Sequence, residues 1–247
     1  MPIVIPENIE EIVANAIRFF WETRNGQIVR QNQAGVHDQG NRGAVTGGKQ
    51  LDGFVQLVRD TLVLNGVPEG CIYTDSDLEL PGYYRPNKKW DLLVVDNNEL
   101  IIAIEFKSQV GPSFGNNFNN RTEEAMGSAL DIWTAYREGV FGDQRAPWLG
   151  YFLVLEDCDK SNEPVRVRSP HFPILPEFLN ASYKNRYEIF CNKLLLERQY
   201  NAACFATTGI TEDGRVFFGY PNRGLSCEEF LFSMLGAAVA HFYRRQD

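Results

Sequence analysis

The sequence holds no apolar run of about 18 residues or more, the length a membrane-spanning helix requires. Its opening residues, Met1 to Glu11, also lack the basic stretch followed by a long apolar one that marks a secretory leader. The expectation is a cytoplasmic protein with no membrane partner. Cysteine is scarce: Cys71, Cys158, Cys191, Cys204 and Cys227 are odd in number, scattered and without a C-x-x-C pair. They read as reduced, buried thiols. His37, His171 and His241 are equally dispersed, which argues against a structural zinc site. Positive charge is in deficit as well, with 24 Lys and Arg against 32 Asp and Glu and a net charge of −8. Because DNA affinity comes largely from cations neutralising phosphates, the deficit weighs against indiscriminate binding to nucleic acid. It does not weigh against a local clamp, since charges are screened over about 8 Å at physiological salt. Arg85, Lys88 and Lys89 form a candidate basic face of that kind.

What is present is ordinary for a globular chain: 247 residues, 44% apolar and 23% charged, enough for one large domain with a core. No internal repeat or interdomain linker stands out. The reading is a single α/β domain over 1–247, with a central mixed sheet flanked by helices and its catalytic core at about 50–155. Helical periodicity predicts helices over Glu7–Glu22, Gln50–Asn65, Arg121–Glu138, Phe178–Tyr200 and Cys227–Tyr243. In the third of these, Asn120 and Glu123 form the start signal, and Met126, Ala129, Leu130 and Trp133 mark the face turned to the sheet. In the last, the apolar face suits the core better than a dimer interface. Strands are expected over Ile72–Tyr84, interrupted at Pro81-Gly82, and over Trp148–Leu155, Ala203–Thr207 and Val216–Tyr220. The polar, glycine-rich stretch 23–48 reads as a long functional loop.

The chemistry concentrates between Lys88 and Arg121. Leu92–Val95 and Leu100–Phe106 are short β-branched runs separated by Asp96-Asn97-Asn98, a hairpin pattern. Side chains alternate faces along a strand, so Glu105 and Lys107 point to one side. With Asp91 across the hairpin, two carboxylates and an ammonium meet at one end of a sheet, a cluster that is costly to bury without a compensating cation. Two carboxylates suit an oxygen-preferring ion such as Mg²⁺, with Asp91 and Glu105 as ligands and Lys107 orienting water or offsetting charge. That combination fits phosphodiester cleavage.

Two short motifs compete and fail on context. Gly43-AVTG-Gly48-Lys49 approaches a P-loop, but Gln50 stands where Ser or Thr would hold Mg²⁺, and no clear strand precedes it. Gly111-Pro112-Ser113-Phe114-Gly115 fits a serine-hydrolase elbow, which needs a helix directly after the serine. The following Asn116-Asn117-Phe118-Asn119-Asn120 are poor helix formers.

Asp91, thirteen intervening residues and Glu105-x-Lys107 resemble the D…ExK signature of PD-(D/E)xK nucleases, with Trp90 where many members have proline. The longer stretches RPNKKWDLLVV, IEFKSQVGPSFGNNFNNRTEEA and WTAYREG resemble the XhoI type of type II restriction endonucleases, as does AVTGGKQLDGF. The resemblance implies a restriction-endonuclease-like fold and Mg²⁺-dependent cutting of double-stranded DNA at CTCGAG, staggered after the first C and leaving 5′-phosphates. It also implies a homodimer matched to the palindrome and a cognate DNA methyltransferase in the same cell. Asp52, on the helix before the sheet, becomes a candidate extra acidic residue; otherwise it is simply an acid at a helix N-terminus. Candidate DNA contacts are Arg42, Lys88, Lys89, Gln109, Asn117, Asn119, Asn120 and Arg121, with Gln33, His37 and Gln39 from the glycine-rich stretch. Two alternatives stay open: a nuclease of the same fold in repair or phage defence, and a DNA-binding protein that keeps the fold without catalysis.

Overall fold

The computed structural model describes residues 2–33 and 49–243. Its helices are α1 (Ile9–Gln33), α2 (Asp52–Leu64), α3 (Phe114–Arg137), the short α4 (Asp159–Asn162), α5 (Tyr183–Leu196) and α6 (Cys227–Tyr243). Its strands are β1 (Ile72–Tyr73), β2 (Glu79–Pro81), β3 (Asn87–Lys89), β4 (Leu92–Asp96), β5 (Glu99–Gln109), β6 (Trp148–Glu156), β7 (Ala202–Ile210) and β8 (Val216–Gly219). Arg42, His37, Gln39 and the P-loop-like 43–48 lie outside the described residues, as does the side chain of Gln33.

A six-stranded sheet runs in the order β1-β4-β5-β6-β7-β8. The β5–β6 and β6–β7 pairs are parallel, and the β1–β4, β4–β5 and β7–β8 pairs antiparallel, so the sheet is mixed, as expected. The β4–β5 hairpin turns on Asn97 and Asn98, with φ of 47° and 65°. Asparagine tolerates this left-handed geometry, which a two-residue hairpin turn demands. One face of the sheet packs on α1, α2 and α6 through Ile102, Ile104, Phe106 and Phe152. The other packs on α3 and α5 through Ala103, Tyr151, Leu153 and Phe205. Glu105 lies opposite Tyr151 and Lys107 opposite Leu153 in the β5–β6 register, so both belong to the second face.

Several boundaries differ from the sequence reading. Helix α1 continues through Gly26 to Gln33; just past the expected end, Arg24 extends its inward face, 4% exposed and donating to the Gly111 carbonyl at 3.5 Å. The expected strand Ile72–Tyr84 is two strands in two sheets. The polar residues 74–77 break it, with Asp77 at φ 58°, and β2 pairs with β3 as a separate hairpin that turns after Pro81. Helix α3 begins at Phe114 rather than Arg121. Asn116, Asn117, Asn119 and Asn120 cost up to about 0.7 kcal/mol each as helix residues. Burying an aromatic side chain returns about 1.5–3 kcal/mol. Phe114 stacks on Tyr183 at 5.7 Å and Phe118 meets Tyr187 at 5.0 Å, so packing outweighs propensity. The helix is also phased differently: Ala125, Ala129 and Ile132 face the sheet, whereas Met126 and Leu130 are about half exposed.

Smaller elements follow the expectation more closely. Helix α5 is shorter than Phe178–Tyr200 because Ser182 and Asn185 form a capping box that sets its start. Helix α6 buries Phe230, Leu231, Met234, Leu235 and Ala238 in the core, as expected. No disulfide joins the cysteines; Cys191, Cys204 and Cys227 are buried, while Cys71 and Cys158 are only half-buried. No helix among the described residues is long and apolar enough to cross a membrane.

Candidate active site

The β4–β5 hairpin brings the charged residues together because of its register. Leu92 pairs with Ile104 and the Asp91 amide donates to the Ile104 carbonyl at 3.2 Å, which carries Asp91 to the level of Glu105 and Phe106. Its Oδ2 accepts the Phe106 amide at 2.8 Å. Lys107 Nζ lies 2.7 Å from Glu105 Oε1, so the two side chains share a face as strand alternation requires.

Two further groups complete the cluster. Lys88 Nζ reaches the same Glu105 oxygen at 3.2 Å and sits 4.2 Å from the centre of the Trp90 ring, a cation–π contact. The buried Tyr200 hydroxyl lies 3.2 Å from Glu105 Oε2. It also lies 3.1 Å from the Ala125 carbonyl. Glu105 is therefore enclosed, at 2% exposure, but its charge is well compensated. Burial works to raise its pKa, yet Lys107 and Lys88 prevail and hold it below the usual carboxylate value. Burial pushes the Lys88 ammonium down, partly offset by Glu105. Tyr200 is raised by burial and by the neighbouring carboxylate.

Asp91 is the opposite case. Burial raises its pKa, and Lys107 and the Phe106 amide only partly offset this. It opens onto a cleft of about 400 Å³ shared with Asp52, Thr74, Asp75, Lys89 and Phe106. Asp52, at the start of α2, is exposed there; burial and Asp75 raise its pKa while Lys49 opposes them. Among the described residues, Asp91 Oδ1 accepts no hydrogen bond. No cluster of three or more His, Cys, Asp or Glu that could hold a metal ion occurs among the described residues. The donor set instead fits a hard cation that takes one or two carboxylates and completes its shell with water and phosphate oxygen.

A family model described as restriction endonuclease XhoI matches residues 30–217. The type II restriction enzyme BstVI of Geobacillus stearothermophilus is 50% identical over 208 residues, covering 82% of this chain and 93% of that one. Type II restriction enzyme XhoI of Xanthomonas vasicola is 49% identical over 180 residues, 72% of each chain. Type II restriction enzyme AbrI of Azospirillum brasilense is 48% identical over 164 residues, 66% of this chain and 73% of that one. The chain belongs to the XhoI restriction endonuclease family. No solved structure matches it. Membership makes it a type II restriction enzyme, a site-specific deoxyribonuclease acting on double-stranded DNA, with the restriction-endonuclease-like α/β fold.

Within this XhoI-family chain, the residues singled out as DNA contacts are placed very differently. Lys88 and Lys89 do not share a basic face: as neighbours on β3 they point to opposite sides, Lys88 to Glu105 and Lys89, exposed, to the cleft. Gln109 is 1% exposed and donates to the Val110 carbonyl, so its side chain is turned inward. Asn119 and Asn120 are exposed and Asn117 half-exposed on the first turns of α3. Arg121 is largely covered and paired with Glu124 at 2.7 Å. Arg42 lies outside the described residues.

Because α3 starts directly after Ser113, helix propensity no longer argues against a serine-hydrolase elbow. Ser113 is nevertheless exposed, and among the described residues it makes no hydrogen bond to a histidine. Sequence reasoning misses Tyr200, for which a tyrosine between a helix and a strand gives no signal. It also misses the inward turn of Lys88, because β3 is too short to stand out as a strand.

Proposed function

We propose that the whole chain is one nuclease domain that hydrolyses DNA phosphodiesters with Mg²⁺ at CTCGAG, cutting after the first C and leaving 5′-phosphates. The observation that carries this reading is the meeting of Asp91, Glu105 and Lys107 at the end of the β4–β5 hairpin in a chain about half identical to type II restriction enzymes. Asp91 and Glu105 would hold the ion, which when bound polarises the phosphoryl group and lowers the pKa of a coordinated water. Lys107, anchored by Glu105, orients the attacking water and offsets charge growing on the phosphorane. Water adds to phosphorus and gives up a proton, the P–O3′ bond breaks, the 3′-oxygen leaves and is protonated to a hydroxyl, and the phosphate stays on the 5′-oxygen of the downstream nucleotide. Tyr200 fixes the Glu105 carboxylate from its other oxygen and Lys88 balances its charge until an ion arrives, so the site is preorganised before DNA arrives. Asp52 stands in the same cleft as an additional acid, and Lys89 beside it meets the DNA backbone. The exposed asparagines of α3 lie toward the duplex.

A palindromic site calls for two copies of the chain related by a two-fold axis, one for each strand. A methyltransferase protecting the same sequence is the expected functional partner in the cytoplasm of the host cell. The test compares a plasmid carrying CTCGAG with a matched plasmid lacking it, each with Mg²⁺ or EDTA, and maps the ends. Cutting at that sequence alone, with metal alone, is expected; discrete cutting elsewhere would overturn the specificity, and cutting in EDTA would overturn the metal.

A further inference from the structure

The β2–β3 hairpin that leads into Asp91 carries a feature the cleavage chemistry does not use. Its tip, residues 81–86, presents Tyr83 and Tyr84, 50% and 65% exposed, with ring centres 5.0 Å apart in an edge-to-face arrangement. Large exposed aromatics on a loop are ordinarily mobile, but this loop is fixed. Asp131 of α3, its side chain 5% exposed, accepts the Tyr83 and Tyr84 amides on Oδ1 at 2.8 Å each. Its Oδ2 accepts Arg85 Nε at 2.7 Å. A Cβ at Gly82 would stand 2.5 Å from Asp131 Oδ2 and 2.7 Å from the Arg85 carbonyl, so the close approach depends on glycine. A buried carboxylate is thus used to hold two aromatic rings outward.

Charge and position indicate what the rings meet. Of the cations in residues 80–90, Arg85 and Lys89 are exposed while Lys88 is turned in to Glu105, and the stretch holds no acid, in a chain of net charge −8. Arg85 donates only Nε to Asp131 and is 42% exposed, which leaves its terminal nitrogens for a partner. Six residues separate Tyr84 from Asp91, at most about 25 Å of chain, and six base pairs span about 20 Å. The tip is therefore within one recognition-site length of Asp91.

Resting on the nuclease reading above, we propose that this tip is a second DNA contact: the faces of Tyr83 and Tyr84 pack against the duplex flanking the scissile phosphate, and Arg85 donates to a backbone phosphate. Tyrosine suits the role because it gives a large apolar face with a polar end and little conformational freedom to lose.

The test measures binding of a labelled duplex carrying CTCGAG, in EDTA so that nothing is cut, across a salt series. The double variant Tyr83→Ala/Tyr84→Ala should lose about ten- to a hundredfold in affinity with its salt slope unchanged, since no charge is removed. Tyr83→Phe/Tyr84→Phe should keep wild-type affinity. Tyrosine nitration of the wild-type protein supplies a measurement independent of variants, with the duplex expected to protect both rings. Wild-type affinity in the alanine variant, or equal nitration with and without duplex, overturns the proposal while leaving the nuclease reading intact. A folded wild-type protein that neither binds nor cuts the duplex overturns both.

Discussion

Glu105 shares one carboxylate oxygen between two ammonium groups, Lys107 at 2.7 Å and Lys88 at 3.2 Å. A metal ion approaching Glu105 competes with both, and Lys88 is the one not fixed on the same strand. Lys88→Met should therefore tighten Mg²⁺ binding to the DNA-free protein severalfold, read by calorimetry; weaker binding would mean that Lys88 positions Glu105 rather than competing for it. Lys89→Ala, by contrast, should reduce the slope of DNA affinity against salt by about 0.9, the loss of one phosphate contact. At this scale the sequence is legible where a local rule applies. The alternation of side chains along a strand is enough to put Glu105 and Lys107 together. The same rule separates Lys88 from Lys89, but a three-residue strand close to proline carries too weak a pattern for the rule to be applied there. Tyr200 reaches Glu105 across 95 residues of sequence, a distance no local rule spans.

Elements are legible in proportion to their periodicity. The β4–β5 hairpin, α2, β6 and α6 lie close to where alternation, apolar spacing and turn residues put them. The start of α3 does not, because Phe114 and Phe118 gain more from packing on α5 than the asparagines lose by being helical. The β2–β3 hairpin is hidden for a similar reason: it is held by Asp131, 45 or more residues away, and not by strand propensity. That dependence has a pH signature. Burial works against the Asp131 charge, but the Tyr84 and Tyr83 amides and Arg85 outweigh it and hold its pKa below the ordinary carboxylate value. Its contribution is thus fully present above the unfolded aspartate pKa of about 3.9 and is lost as pH falls through the lower folded value. Asp131→Asn should destabilise the protein by about 1–3 kcal/mol near pH 7. Denaturant midpoints should show this deficit constant from about pH 5 to 8 and shrinking below about pH 4; a deficit that grew in acid would contradict the assigned role.

For the molecule as a whole, the net charge of −8 is reconciled with DNA cutting by local placement. Lys107 and Lys88 neutralise Glu105 inside the site, Arg85 neutralises Asp131 behind the hairpin, and Asp91 keeps an undercompensated charge facing the cleft beside Asp52 and Asp75. Family and fold are readable from the stretch 85–139, whereas the separation of binding residues from buried ones is not, since burial is a property of the assembled sheet and helices. The measurement that bears most directly on this account is Glu105→Gln, assayed with Mg²⁺ on the same labelled CTCGAG duplex for both binding and cutting. The substitution keeps the shape of the side chain and removes the charge that anchors Lys107 and that is proposed to hold the ion. The account predicts duplex binding within a few-fold of wild type and a fall in cutting of about a hundred- to a thousandfold or more, the scale on which preorganised electrostatic groups act. Cutting at the wild-type rate by this variant would contradict it.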